Sequence, residues 1–210
     1  AVAINPNDDN HVIAGYSNGF SLTTTGATGF SNVMPAGWNT GNGDPTVNDI
    51  MFVTSAVALA VTGSDNFNYA TSGNIWRTDD GGTTWTKVSP SGFNCGNTLA
   101  MGTDGTNRVI YCGTGMSGNS DGMIYKSTDD GLTWTMVNYG PTSMNGSVNH
   151  LPVYDLAVDP RGTDVVYIAS GSNLDYALAK STDGCVTMSN INASGEGAFT
   201  SVCINQSYPD

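Results

Sequence analysis

The sequence predicts an all-β protein of the β-propeller class, with four-stranded antiparallel blades, of which this chain holds about four. Three observations predict it. The composition suits strands and turns, because 39% of the 210 residues are hydrophobic, only 11% are charged and 27 are glycine. A short aspartate-containing motif recurs about every 50 residues. An apolar segment keeps the same interval, since Ala1–Asn5 (AVAIN) resembles Ser201–Asn205 (SVCIN).

The aspartate motif is clearest in two segments, RTDDGGTTW at residues 77–85 and KSTDDGLTW at residues 126–134. They align without gaps, and their tryptophans are 49 residues apart. A third copy, KSTDGCVTM at residues 180–188, ends 54 residues further on, with Met188 in the tryptophan position. A weaker copy near the start contains Thr24, Gly26 and Thr28, and we expect Thr24 to take the aspartate position.

Each repeat is predicted to form four strands. An apolar strand comes first, then a polar turn, a second strand, a variable loop, a third strand that ends at the aspartate motif, and a fourth strand after it. The predicted first strands are Ala1–Ile4, Ile50–Val61, Leu99–Met101 and Val153–Val158. The approximate repeats are 1–46, 47–97, 98–148 and 149–198, with 199–210 opening a fifth. Units this short cannot bury both sheet faces alone, so neighbouring blades must stack.

The motif resembles the Asp-box (BNR) repeat family, whose consensus S/T-x-D-x-G-x-T-W is met in full at residues 78–85 and 127–134. The third copy departs from it at Cys185 and Met188. The resemblance implies a propeller with these turns at the blade periphery, away from the functional site. The residues expected to build the turns are Thr78, Asp80, Gly82, Trp85, Ser127, Asp129, Gly131, Trp134, Ser181 and Asp183. The family includes sialidases, xyloglucanases and sortilin-like receptors, and therefore implies no single function.

Charge and composition restrict the partners. The net charge is −12 with only six lysines and arginines, so the chain lacks the basic surface that nucleic acids and anionic membranes require. The longest apolar stretch, Ile50–Val61, is too short to span a bilayer and predicts a buried inner strand. We expect a secreted or cell-surface protein.

Four cysteines allow up to two disulfides, and Cys95 and Cys112, which flank a hairpin turn, are the candidate pair. Three N-x-S sequons, at Asn145, Asn192 and Asn205, are candidate glycosylation sites.

The residues that known glycosidase mechanisms require are largely missing from the sequence. A sialidase needs three clustered arginines and a Tyr–Glu pair, but Glu196 is the only glutamate, and no triad can be assembled from Arg77, Arg108 and Arg161. A glycosidase needs two carboxylates, and Asp49 and Asp155 are the candidates because each immediately precedes an inner strand. The alternative is that they form a repeated structural cap. His11 and His150 lack a nearby nucleophile motif.

Three loop aromatics, Trp38, Tyr69 and Tyr139, are candidates for holding a glycan. The alternative is that they pack across blade junctions. No cofactor is expected. Calcium near Asp104 or Asp121 is the one metal considered, and neither residue lies in a full ligand loop.

The sequence therefore favours a non-catalytic extracellular propeller module that binds a glycan or protein, or assembles, in a carbohydrate-rich setting. The alternative is a xyloglucanase- or sialidase-like glycoside hydrolase whose site lies partly outside this chain. Four repeats and the start of a fifth leave three arrangements open: part of a larger propeller, copies that complete one another as a ring or filament, or a closed four-bladed monomer.

Overall fold

A computed structural model of the chain describes residues 1–17, 19–26, 28–38, 46–63, 73–115, 122–142, 150–171, 176–192 and 199–205. Within these ranges sixteen strands form four antiparallel sheets of four strands, and there is no helix. The strands of every sheet are neighbours in chain order, which is the arrangement of a propeller blade. The predicted fold class is confirmed.

The first sheet contains β1 (Val2–Asn5), β2 (Asp8–Tyr16), β3 (Gly19–Thr23) and β4 (Ser31–Val33). The second contains β5 (Thr46–Phe52), β6 (Ala58–Gly63), β7 (Ile75–Thr78) and β8 (Thr86–Lys87). The third contains β9 (Gly96–Thr103), β10 (Arg108–Thr114), β11 (Met123–Ser127) and β12 (Thr135–Tyr139). The fourth contains β13 (Val153–Val158), β14 (Val166–Gly171), β15 (Tyr176–Ser181) and β16 (Ser189–Asn190).

The chain divides into two compact units, Ala1–Gly96 and Asn97–Asp210. The first unit holds the first two sheets, and its core joins them through Ile13 and Phe20 from one sheet and Ile50 and Trp76 from the other. The second unit holds the last two sheets, whose core forms in the same way. Tyr111, Ile124, Val153, Leu156 and Ile168 belong to it. In each unit the apolar faces of two sheets are buried against each other, as the repeat predicted.

A glycine in the second strand lets the next sheet approach closely in both units. A Cβ added to Gly15 of β2 would clash with the side chain of Val47 on β5, and one added to Gly113 of β10 would clash with Val153 on β13. These glycines end the recurring sequences VIAG and IYCG. The repeated glycine therefore marks the place where the first strand of one blade crosses the second strand of the blade before it.

One predicted strand is two strands in the structure. Ile50–Val61 was expected to form a single inner strand, but β5 ends at Phe52, and β6 begins at Ala58 and runs back along it. A tight turn separates them, in which the Thr54 hydroxyl accepts the N–H groups of Ala56 and Val57 at 3.3 and 3.0 Å. The segment is apolar on both sides of Thr54 and Ser55 because residues 50–53 and 58–61 are largely buried in this hairpin.

The predicted Cys95–Cys112 disulfide is not formed, and both residues are buried thiols. The Cys95 sulfur is directed at Gly63 at the end of β6, where it would lie 2.7 Å from an added Cβ. Cys112 lies within β10, and its sulfur contacts the carbonyl of Gly113 at 3.8 Å. The two sulfurs therefore have different neighbours, Gly63 for Cys95 and Gly113 for Cys112.

Candidate functional site

The strand β7 ends in a turn organised by one carboxylate. The Asp80 side chain accepts the Thr84 N–H at 2.8 Å, the Thr84 hydroxyl at 2.7 Å and the Thr78 hydroxyl at 2.8 Å. The Thr78 oxygen in turn accepts the Gly82 N–H at 2.9 Å. The Trp85 indole closes the turn by donating to the Gly82 carbonyl at 3.0 Å. Every predicted residue of this motif therefore has a partner inside the turn.

The same turn follows β11 and β15. Asp129 accepts from Thr133 and Ser127 at 2.6 to 2.9 Å, and Asp183 accepts from Thr187 and Ser181 at 2.7 to 2.9 Å. We call residues 78–85, 127–134 and 181–188 the aspartate turns. Cys185 stands at the glycine position of the third with a φ of 69°. Burial raises the pKa of its thiol to about 12, so it stays protonated.

The first copy of the turn is displaced by one residue from the prediction. β3 ends at Thr23, as β7 ends at Thr78. The Thr23 oxygen accepts the Thr25 N–H at 3.2 Å, and the Thr25 hydroxyl donates to the Thr28 carbonyl at 2.7 Å. Thr25, two residues after the strand end, therefore takes the aspartate position, and the prediction of Thr24 was wrong.

We expect the aspartate turns to weaken in acid. Burial acts to raise the pKa of Asp80 and Asp129, but the hydrogen bonds from their threonine and serine partners outweigh it and hold both values below the usual aspartate pKa. The hydrogen bond from the Thr187 hydroxyl likewise lowers the pKa of Asp183. A lowered pKa stabilises the folded state above the pKa of the unfolded chain. That stability is lost as the pH falls through the folded value.

Urea denaturation from about pH 5 down to about pH 2 should therefore show a falling free energy of unfolding. In Asp129→Asn the free energy of unfolding should depend less steeply on pH, because one of the carboxylates with a lowered pKa is gone. If the pH dependence is the same in this variant, Asp129 does not contribute to it.

The two candidate catalytic carboxylates occupy equivalent places. Asp49 on β5 and Asp155 on β13 each follow a shift in strand register, and each accepts the N–H of the next residue, Ile50 at 2.8 Å and Leu156 at 2.9 Å. A bulge of this kind re-aims a side chain.

Asp155 also joins neighbouring segments of the second unit. Its Oδ1 accepts the Thr98 hydroxyl of β9 at 3.2 Å, and its Oδ2 accepts the Ser201 hydroxyl at 2.8 Å and the Val202 N–H at 2.9 Å. With Leu156, four donors meet a carboxylate that has about four acceptor positions. Asp155 therefore connects the inner strand of the fourth sheet to the third sheet and to the segment that follows the fourth.

A second connection was not predicted. Asn48 donates to the Gly96 carbonyl at 2.8 Å, and Asn97 donates to the carbonyls of Gly115 and Val153 at 2.7 and 2.9 Å. Asn48 precedes Asp49 and Asn97 precedes Thr98, at corresponding places in two repeats. The interval of 49 residues between the two asparagines was the signal available in the sequence.

The three arginines form local ion pairs. Arg77 lies 2.6 Å from Asp79, Arg108 makes a two-pronged contact with Asp130, and Arg161 makes one with Asp159. The Arg161 hydrogen bonds lower the pKa of Asp159 to about 2. Each guanidinium is thus held by an aspartate close in sequence or in the same sheet, which does not favour a shared grip on a substrate carboxylate.

Trp38 is not an exposed platform. It is 7% exposed and packs in the first core against Phe20 and Trp76, with ring centroids 5.5 and 5.3 Å apart. Trp38 therefore packs across the junction between two blades, which was the alternative to a glycan platform. Tyr69 lies outside the described residues.

Tyr139, the remaining predicted aromatic, is 42% exposed at the end of β12. Its ring stacks on His150 with centroids 4.4 Å apart and an interplanar angle of 18°. The pair lines a pocket of about 370 Å³ in the second unit. The other lining residues are Asn138, Gly140, Thr142, Thr187, Met188 and Asn190. Nothing in the sequence places His150 beside Tyr139, because the residues that line the pocket come from three separate segments, 138–142, 150 and 187–190.

His11, the other histidine, lies in the first unit between Asn5 and Gly81. Its ring nitrogens are 3.0 Å from Asn5 Nδ2 and 2.6 Å from the Gly81 carbonyl. It therefore links the first sheet to the aspartate turn of the second.

Asp104, considered for calcium, has a structural role in a turn. The Asp104 carboxylate accepts the N–H groups of Thr106 and Asn107, which closes the β9–β10 hairpin. The described residues contain no group of three His, Cys, Asp or Glu side chains suited to a metal ion. Asp121, Asn145 and Glu196 lie outside the described residues. Asn205 is exposed, and the Asn192 amide oxygen accepts the Leu178 N–H at 2.9 Å. Among the described residues, no helix is long and apolar enough to cross a membrane.

The fold and the repeated turns define a β-propeller protein. No family model matches the sequence. Over 89 residues the chain is 35% identical to a xyloglucanase from Hypocrea jecorina (strain QM6a), which covers 40% of this chain and 10% of that enzyme. The chain therefore spans a small part of this curated relative.

Solved structures show the same fold. The GH74 xyloglucanase from Xanthomonas campestris aligns with a TM-score of 0.67 and 18% identity over 91% of this chain and 29% of that chain. The Dos1 propeller aligns at 0.57 and 14% identity over 93% and 48%. The NanB sialidase from Streptococcus pneumoniae aligns at 0.53 and 11% identity over 87% and 30%. The neighbours thus include carbohydrate-active propellers.

Proposed function

We propose that this chain forms Asp-box blades of a secreted glycan-binding propeller. Its own residues bind the glycan and hold the blades together, and they do not catalyse a reaction. The observation that carries the proposal is the Asp155 carboxylate. A nucleophile or general base needs a lone pair directed at the substrate or at a water. The Asp155 oxygens instead accept Thr98, Leu156, Ser201 and Val202.

Two further observations support a neutral carbohydrate as the ligand of the whole protein. The net charge of −12 disfavours anionic ligands such as nucleic acids. The relative with 35% identity over 89 residues is a xyloglucanase. We include in the proposal an extracellular location, where such carbohydrates are found, and glycosylation at the exposed Asn205.

Asp155→Asn should lower the free energy of unfolding by about 1–2 kcal/mol, because an amide nitrogen cannot accept the hydrogen bonds made by one of the two oxygens. Asp164→Asn is the control. Asp164 is 60% exposed and lies 3.6 Å from Lys126, so its loss should cost less than about 0.5 kcal/mol. Urea denaturation measures both.

The same variant tests the absence of catalysis. Neither the wild-type chain nor Asp155→Asn should release reducing sugar from xyloglucan. Hydrolysis by the wild type that disappears in a folded Asp155→Asn variant would contradict the proposal.

The second candidate is a glycoside hydrolase of the xyloglucanase type with its site partly outside this chain, which the 35% identity favours. It predicts xyloglucan hydrolysis that is lost in Asp49→Asn. Completion of the blades by self-assembly is a separate part of the proposal, and the mass of the native particle in solution tests it.

A further inference from the structure

The pocket beside Tyr139 lies where the third aspartate turn departs from the other two. In the first two turns, Trp85 and Trp134 are 6% and 7% exposed, and each indole donates to the glycine carbonyl of its own turn at 3.0 and 3.1 Å. Met188 takes this position in the third turn, where it is half-buried against the core and lines the pocket. A thioether side chain fills less volume than an indole and donates no hydrogen bond.

A neighbouring strand supplies the missing donor. The carbonyl of Cys185, which corresponds to that of Gly82, accepts Asn138 Nδ2 at 3.1 Å, and the carbonyl of Val186 accepts the same nitrogen at 2.9 Å. Asn138 lies on β12 of the third sheet. The carbonyls of this turn are therefore satisfied by a side chain of another sheet, and the shorter Met188 side chain lines a pocket instead of carrying an indole.

The lining of the pocket is neutral, polar and aromatic. Asn138, Asn190, Thr142 and Thr187 provide amide and hydroxyl groups, and Tyr139 provides an exposed ring held by its stacking on His150. Among the lining residues that the structure describes, none is a lysine, arginine, aspartate or glutamate. Such a lining suits an uncharged ligand with many hydroxyl groups.

We propose that this pocket is a binding site for a neutral saccharide. A sugar ring has C–H groups that pack on Tyr139 and Met188, and hydroxyl groups that can donate to the side-chain oxygens of Asn138, Thr142 and Thr187. The Asn138 nitrogen itself stays bonded to the carbonyls of the turn. The volume of about 370 Å³ falls in the range of small-ligand pockets. The inference rests on the proposed glycan-binding function and gives it a specific site, on the outer strands β12 and β16.

Met188→Trp tests the site by restoring the residue found in the other two turns. The variant should fold, because the position accepts tryptophan elsewhere in the chain, but the indole should occupy the pocket. Met188→Leu is the matched control, since leucine has nearly the volume of methionine. Tyr139→Ala removes the aromatic ring from the pocket lining. Far-UV circular dichroism checks the fold of each variant.

Isothermal titration of the full chain with xyloglucan, cellulose and mannan oligosaccharides measures binding, with oligogalacturonate as the anionic comparison. We expect the wild type and Met188→Leu to bind at least one neutral oligosaccharide, and Met188→Trp and Tyr139→Ala to bind it about tenfold more weakly or worse. Neutral-glycan binding that survives both substitutions overturns this site alone. Absence of any glycan binding by the wild type overturns both the site and the proposed function, and tighter binding of oligogalacturonate overturns the neutral ligand class.

Discussion

Trp85→Ala should lower the free energy of unfolding of the first unit by about 3–5 kcal/mol. The Trp85 ring stacks on Phe20 of the first sheet, with centroids 4.1 Å apart and an interplanar angle of 13°. It is 6% exposed, and its N–H satisfies the buried Gly82 carbonyl. Alanine removes this stacking contact between the two sheets, leaves a cavity and leaves that carbonyl without its donor.

Trp85→Phe separates these contributions. Phenylalanine keeps an aromatic ring against Phe20 but cannot donate to Gly82, so it should cost about half as much or less. Urea denaturation monitored by circular dichroism gives the three stabilities. If alanine and phenylalanine cost the same, packing between the sheets is not the main contribution of Trp85.

The fold could be predicted because the information is local and repeated. An aspartate turn needs a hydroxyl, a carboxylate and a glycine at fixed spacing, and the spacing is visible in one sequence. The strand boundaries were harder to predict. Ile50–Val61 has no polar break strong enough to reveal its turn, since burial makes both strands apolar. The prediction of Thr24 was one residue out of register because the first turn lacks the aspartate that fixes the alignment.

The candidate site depended on distant contacts, which one sequence does not show. Asp155 is at a conspicuous position, but its partners are Thr98 and Ser201, far away in the chain. The Met188 departure was visible, yet its consequence depends on Asn138 from another sheet. In the sequence, Tyr139 and Trp38 look alike, since both are aromatics in predicted loops. Burial distinguishes them, and burial depends on the packing of neighbouring sheets.

Gly82→Ala should lower the free energy of unfolding by about 3 kcal/mol or more. Gly82 has a φ of 100°, which strains any residue with a Cβ, and an added Cβ would lie 2.8 Å from Ile13 Cδ1. Ile13 is fully buried in the core that joins the first two sheets. The substitution therefore combines backbone strain with a steric clash across the sheet junction.

Gly92→Ala isolates the first of these effects, because Gly92 has a φ of 81° in the same unit and no atom within 4 Å of an added Cβ. It should cost about 1–2 kcal/mol. The difference between the two variants then measures the clash with Ile13, and Ile13→Val combined with Gly82→Ala should recover part of it, since valine lacks the clashing Cδ1 methyl. Equal costs for Gly82→Ala and Gly92→Ala would mean that the aspartate turn does not press on the neighbouring sheet. The turn would then stabilise only its own blade. A larger cost at Gly82 would mean that the aspartate turn contacts the neighbouring blade and sets the distance between the two.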